Sequence, residues 1–286
     1  MKGCLFMKKM FKRSLAAVMA VASLAVVSIT GCSKGNNSSD SSDLPQITLV
    51  SLKSADINMA DDFDEIICTK SRYNDILIFG KLRSGEYSGY ITNSEFSEKR
   101  SFIFEPQKNE EIKSAALSET GKSAVLTVLD DETFIYIFDR DGDLTDTINC
   151  GKLISETDYF ADIISCDKGF YISLSYNTLV YADENGNISE NGNITNKNIY
   201  GFFSNSDGVP CVLFDDNDKL TFAGLDTNGI TEQTVCNNID STINLVGTGT
   251  GDYQFSAVCN DGLYGFNGNK YIRIADFSET ISKHKI

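Results

Sequence analysis

Phe138-Asp139-Arg140-Asp141-Gly142, Ala182-Asp183-Glu184-Asn185-Gly186 and Leu225-Asp226-Thr227-Asn228-Gly229 are three copies of one short pattern. Each follows an apolar run rich in Ile, Val, Phe and Tyr, and each precedes another run. Asp and Asn start tight turns by bonding their own backbone, and glycine supplies the positive φ that closes them. The three aspartates stand 44 and 43 residues apart. A looser copy, Tyr264-Gly265-Phe266-Asn267-Gly268-Asn269, puts Asn267 41 residues after Asp226, and Tyr90-Ile91-Thr92-Asn93-Ser94 puts Asn93 46 residues before Asp139. A period of forty-odd residues holding about four strands marks a β-propeller blade.

One unit can be read strand by strand. Ile112 to Leu117 reads as a strand, Ser118-Glu119-Thr120-Gly121-Lys122 as a turn, and Ser123 to Leu129 as the returning strand. Asp130-Asp131-Glu132 then turns into Thr133 to Phe138, which is apolar on both faces, as a strand covered on both sides would be. Leu144 to Cys150 follows the aspartate turn. Gly169 to Ser175 alternates with period two, Phe170, Ile172 and Leu174 on one face and Tyr171, Ser173 and Ser175 on the other. No helical stretch of ten or more residues stands out after residue 45.

The expected fold is therefore all-β: a β-propeller of about five four-stranded blades, with six as the alternative count and an all-β sandwich as the alternative topology. The units fall near residues 60–106, 107–151, 152–194, 195–239 and 240–277. The segment Gln46 to Leu52 is expected to pair onto the last blade and close the ring. The Ser-Glu-Thr-Gly-Lys turn loosely resembles the Ser-Pro-Asp-Gly-Lys turn of TolB-type and WD40-like propellers. No Trp-Asp signature accompanies it, since the chain has no tryptophan.

Ahead of the repeats the composition changes twice. Lys8, Lys9, Lys12 and Arg13 precede an uncharged run from Ser14 to Gly31, and Ile29-Thr30-Gly31 leads into Cys32. A basic segment, a short apolar segment and small residues before a cleavage point make a secretory signal peptide. Its ending resembles the lipobox of bacterial lipoproteins, with Ile29, Thr30 and Gly31 as the signal-peptidase recognition residues. That resemblance implies cleavage before Cys32 and a diacylglycerol on its sulfur, holding the protein at the extracytoplasmic face of the cell membrane. The competing reading is an uncleaved transmembrane helix, and eighteen uncharged residues are at its lower edge. Ser33 to Asp43 contains no apolar residue and reads as a disordered tether, with a mean reach of roughly 20 Å. The expected organisation is a signal peptide over 1–31, lipidated Cys32 and tether over 32–45, the propeller over 46–277 and a tail over 278–286.

Charge and chemistry bound the function. The formal net charge is −15, and loss of residues 1–31 with their five cations and no anion leaves −20. Such a surface repels phosphate backbones, so no nucleic-acid partner is expected. His284 is the only histidine, which removes Ser-His-Asp and Cys-His catalysis and histidine-based metal sites. Cys68, Cys150, Cys166, Cys211, Cys236 and Cys259 show no zinc-like spacing and lie mostly in strand-like segments, which favours buried thiols, with three disulfides as the alternative that the even count permits.

Asp139 to Asp143 fails as an EF-hand loop, because its sixth and twelfth positions hold Leu144 and Cys150. Asp215-Asp216-Asn217-Asp218 reads as a turn, and Ser204-Asn205-Ser206-Asp207-Gly208 is a poor echo of the sialidase Asp-box. Gly247-Thr248-Gly249-Thr250-Gly251 lacks the following helix that a phosphate cradle needs and reads as a loop. No catalytic residue, metal ligand or cofactor site is assigned.

Lipobox, polar tether and repeats, with Leu263-Tyr264-Gly265-Phe266 in the last unit, together resemble the N-terminal propeller region of large solute-binding lipoproteins of Gram-positive gut bacteria. In those a periplasmic-binding-protein domain follows the propeller; here the sequence stops at Ile286, so the resemblance implies the propeller without its solute-binding domain. The expected role is a monomeric, non-enzymatic module that binds a protein or glycan. The alternative is a carboxylate-dependent hydrolase acting on glycans.

Overall fold

The computed structural model describes residues 62–276, with short breaks at 73–74, 94–98, 155–159, 176, 191–193, 195–196, 238, 240–241, 251–252 and 269. Cys32, Ile29, Thr30, Gly31, the tether and the closing segment Gln46 to Leu52 lie outside the described residues.

Twenty strands form five separate four-stranded sheets. Blade 1 holds β1 (Phe63–Arg72), β2 (Asp75–Leu82), β3 (Tyr87–Asn93) and β4 (Lys99–Phe104). Blade 2 holds β5 (Glu111–Leu117), β6 (Ser123–Leu129), β7 (Glu132–Phe138) and β8 (Leu144–Asn149). Blade 3 holds β9 (Ala161–Cys166), β10 (Gly169–Leu174), β11 (Thr178–Asp183) and β12 (Ile188–Glu190). Blade 4 holds β13 (Ile199–Ser204), β14 (Pro210–Asp215), β15 (Leu220–Asp226) and β16 (Gly229–Val235). Blade 5 holds β17 (Ile243–Thr250), β18 (Tyr253–Cys259), β19 (Gly262–Asn267) and β20 (Lys270–Asp276). Each sheet is an antiparallel meander in sequence order. The chain is a five-bladed β-propeller; the sandwich and the six-blade count are set aside.

The first strand of each blade lies against the first strand of the next, from β1 through β5, β9 and β13 to β17, and β17 lies against β1. Thr248 and Ser71 join at that last contact. Ser71 Oγ donates to Thr248 Oγ1 at 2.5 Å, and Thr248 Oγ1 donates to the Ser71 carbonyl at 2.8 Å. Blade 5 has its four strands without Gln46 to Leu52.

Blades 2, 3 and 4 bury both faces against their neighbours, and this explains their strand compositions. Phe170, Ile172 and Leu174 of β10 pack toward blade 2 with Leu126 and Ile135, while Tyr171 packs toward blade 4 with Phe202 and Phe214. Every residue of β10 is buried, Ser173 included. At the blade 4–5 junction Phe203, Phe222, Phe255 and Phe266 meet in one cluster, with Phe255 stacked on Phe266 and edge-on to Phe222.

One loop expectation fails. Gly247 to Thr250 are the second half of β17, not a connection. A Cβ at Gly247 would stand 2.6 Å from the hydroxyl of Ser256, its partner on β18, so a side chain there would have to turn that hydroxyl aside. Thr248, between two glycines, carries the contact with Ser71 at the closure of the ring.

Candidate functional site

Meander topology sends the first-to-second and third-to-fourth turns of every blade to one face of the ring, where the first strands end. Asp139, Asp183 and Asp226 all sit at third-to-fourth turns there. Asp139 Oδ1 accepts the N–H groups of Asp141 and Asp143 at 2.9 and 3.0 Å; Asp183 Oδ1 accepts those of Asn185 and Asn187, both at 2.8 Å. Asp226 Oδ1 accepts the Asn228 N–H at 2.7 Å. These carboxylates are turn formers whose oxygens face their own backbone. Hydrogen bonds from the Asn187 side chain and backbone, and from Asn185, hold the Asp183 carboxyl below its usual value. Asn205 does the same for a first-to-second turn, accepting from Asp207 and Val209 at 3.0 and 2.9 Å. The sialidase-like echo is thus a hairpin. Asp216 and Lys219 exchange backbone bonds on the opposite face, which makes Asp215 to Asp218 the turn expected. No group of three or more His, Cys, Asp or Glu side chains could hold a metal ion among the described residues.

The ring axis carries a constellation that single strands do not announce. Lys70 on β1 reaches Asp162 on β9, with Nζ 2.5 and 2.6 Å from the two carboxylate oxygens. Ser114 on β5 donates its hydroxyl to Asp162 Oδ1 at 2.6 Å, and the Ile163 N–H donates to the same oxygen at 2.9 Å. Arg72, two residues beyond Lys70, donates from Nη1 to the Ser165 carbonyl at 2.7 Å. Blades 1 and 3 are not neighbours in the ring, so both cationic side chains cross its axis. Blade 2 supplies the third member.

Asp162 and Ser114 are buried, while Lys70 keeps partial access to solvent with its side chain 20% exposed. Cys68, partly buried beside them, has its thiol pushed up by burial, an effect that Lys70 opposes and Asp162 reinforces. An amine, a thiol, a hydroxyl and a carboxylate from three blades therefore share one site. Asp162 Oδ1 faces a cation, a hydroxyl and a backbone N–H, and Oδ2 faces the cation. The arrangement is a brace that ties blades 1, 2 and 3 together at the ring axis.

No motif in the sequence marks Lys70 or Asp162. The usable signals were an aspartate set in an apolar strand, Ala161-Asp162-Ile163-Ile164, and two cations at i and i+2 on β1, hence on one side of that strand.

No protein-family model matches the chain, and no curated protein matches it. Among solved structures it is similar in fold to a protein of unknown function from Bacteroides caccae, at 14% identity over 73% of this chain and 78% of that one, with a TM-score of 0.44. It is also similar to virginiamycin B lyase from Staphylococcus aureus, in a catalytically inactive form with quinupristin, at 11% identity over 75% and 70% with a TM-score of 0.47. A luciferin-regenerating enzyme matches at 8% identity over 76% and 79%, with a TM-score of 0.44.

Proposed function

We propose that this chain is a lipid-anchored extracytoplasmic lipoprotein whose propeller is a non-enzymatic binding module, an accessory to solute uptake. The anchor rests on Lys8 to Arg13, the uncharged segment after them, and Ile29-Thr30-Gly31-Cys32. The resemblance to the propeller region of solute-binding lipoproteins supports the link to uptake. Two acyl chains on Cys32 would hold the body stably, where one chain would bind only marginally.

The observation that carries the binding role is the use made of the acidic groups. Asp162 at the axis is spent on Lys70, Ser114 and Ile163, and Asp139, Asp183 and Asp226 are spent on their own turns. What the ring offers is a rigid scaffold with hairpin turns collected on one face, the usual setting for recognition. The acidic surface favours a mainly neutral or cationic partner, such as a glycan, a peptide or another envelope protein, and disfavours nucleic acid.

A panel of glycans and chromogenic glycosides separates this reading from a hydrolase. Retention of a glycan without turnover is the expected result. Turnover that Asp162→Asn abolishes while the fold is kept would overturn it. Cys32→Ser is expected to release the protein from membranes or leave it as an uncut precursor; normal mature size in the membrane fraction would overturn the anchor.

A further inference from the structure

We infer that the stretch Gln46 to Ala60 docks in the seam between blades 5 and 1 and fills it with its own apolar side chains, closing the ring with a segment that belongs to neither blade. Two sheet faces lead to this, because both are covered and they do not cover each other.

On blade 1, Ile76 pairs with Thr92, Ile78 with Tyr90 and Gly80 with Ser88, so these side chains project from one side of the sheet. Leu77, Phe79 and Ile91 project from the other side and pack on blade 2. The first set therefore faces blade 5, yet Ile76, Ile78, Ser88 and Thr92 are only 6, 7, 4 and 2% exposed. On blade 5, Phe255, Ala257, Tyr264 and Phe266 pack on blade 4. That leaves Val258 and Leu263, paired with each other, on the side of blade 1, and each is 5% exposed. Side chains on one sheet face stand beside one another, and burial this deep needs a layer laid over them. Among the described residues the facing blade does not supply its apolar part. The cluster of Phe63, Ile66, Ile76, Ile78, Leu82 and Tyr90 has no member from blade 5, and the two blades meet through their first strands, β17 and β1.

The chain just ahead of β1 suits the gap. Phe63 is both the first residue of β1 and a member of the blade 1 cluster, so the residues before it arrive beside this face. Ser33 to Asp43 has no apolar residue, whereas Ile47, Leu49, Val50, Leu52, Ile57 and Met59 follow Pro45. In an extended stretch Ile47 and Leu49 point to one side and Val50 and Leu52 to the other, which provides an apolar surface for each blade. The lengths agree: at about 3.3 Å per residue, both Gln46 to Leu52 and the strip of β2 from Ile76 to Leu82 span about 20 Å. Lys53 to Asp62 then remain for the return to Phe63. Pairing at the outer edge of β20 would leave Ile76 and Val258 without this cover. The tail after β20 starts from the outermost strand of blade 5 and offers only Phe277, Ile281 and Ile286. A seam filled by a segment outside both sheets can still open without breaking either one.

The full chain with a photoreactive benzophenone amino acid in place of Val50 tests the placement. Irradiation should join residue 50 to β2 or β3 of blade 1, or to β18 or β19 of blade 5, as read by mass spectrometry of the cross-linked peptides. Cross-links confined to β20 or to the other blades, or none within the chain, overturn the inference. Seam cross-links from the same probe at Ile281, with none from Val50, overturn it in favour of the tail. Hydrogen exchange gives a second readout: the Leu49→Asn, Leu52→Asn double variant should exchange the amides of β2 and β18 about tenfold faster or more, with β10 unchanged. No acceleration, or an equal one in β10, overturns the seam as the docking place.

Discussion

Cys150, Cys166, Cys211, Cys236 and Cys259 are free and buried, each in or at the end of a strand. A buried thiol is a small hydrophobe, and its surroundings disfavour the thiolate. Burial pushes Cys150 and Cys166 up to about 11 and Cys211, Cys236 and Cys259 up to about 12, from an ordinary value of 9.0. Unfolded thiols ionise first as pH rises, so between pH 9 and 12 the unfolded state holds fewer protons than the folded one. Stability is then present in full below pH 9 and is lost progressively as pH climbs through the folded values. Tyr181 and Tyr264, pushed by burial from 10.0 to about 12, act in the same direction. Urea midpoints should hold steady to about pH 8.5 and fall steadily above pH 9. In parallel, a thiol reagent at pH 8 should label these five only on unfolding. A flat alkaline profile, or prompt labelling of the native chain, would show that they are not sealed. The sequence favours buried thiols, since most lie in apolar strand-like segments, but it leaves three disulfides open; the fold decides, because it places all of these cysteines as free thiols. The brace between Lys70 and Asp162 was not legible there, because 92 residues separate its members and only ring closure brings them together.

The element that made the fold readable is the third-to-fourth hairpin, and its glycine has two tasks. Gly186 has φ +81°, and a Cβ there would stand 2.3 Å from the Asn149 carbonyl on β8 of the preceding blade. Gly142 repeats this against the Ser101 carbonyl on β4, with φ +91° and 2.4 Å. The turn therefore both reverses its own strands and seats them on the outer strand of the blade before. Gly151 is the natural control, with φ +65° and no heavy atom within 4 Å of a Cβ. Gly151→Ala should cost about 1 kcal/mol for the left-handed backbone alone. Gly186→Ala adds a backbone collision and should cost about 3 kcal/mol or more. Equal losses in denaturant unfolding would mean the turn is not seated on blade 2. The periodic copies could be read because their chemistry is local. Gly247 to Thr250 could not, because glycine is commonest in turns, and only the pairing of this segment with β18 marks it as strand.

At the scale of the ring, four of the five junctions are filled alike. Separate apolar clusters join blade 1 to 2, 2 to 3, 3 to 4 and 4 to 5, each with members from both blades. The remaining cluster, Phe63, Ile76 and Ile78 with Ile66, Leu82 and Tyr90, comes from blade 1 alone. Among the described residues no cluster mixes blades 5 and 1, and no chain connection joins them in sequence order. Among the described residues, that seam is held by the contact of β17 with β1 and by the paired hydroxyls of Ser71 and Thr248. A ring opens where its junction is weakest, so the strands flanking this seam should exchange their amide hydrogens before the interior strands of blades 2 to 4. Placing a disulfide there tests the same point thermodynamically. The side-chain oxygens already meet at 2.5 Å, and the bridge would span 177 residues of sequence. On the chain-entropy account a loop that long stabilises by up to about 5 kcal/mol. The Ser71→Cys, Thr248→Cys double variant should therefore unfold at markedly higher denaturant when oxidised than when reduced, with the buried native thiols still protected. If oxidation leaves the midpoint unchanged although the bridge has formed, the seam is not where the propeller comes apart, and the load lies instead on the brace that carries Lys70 across the axis to Asp162.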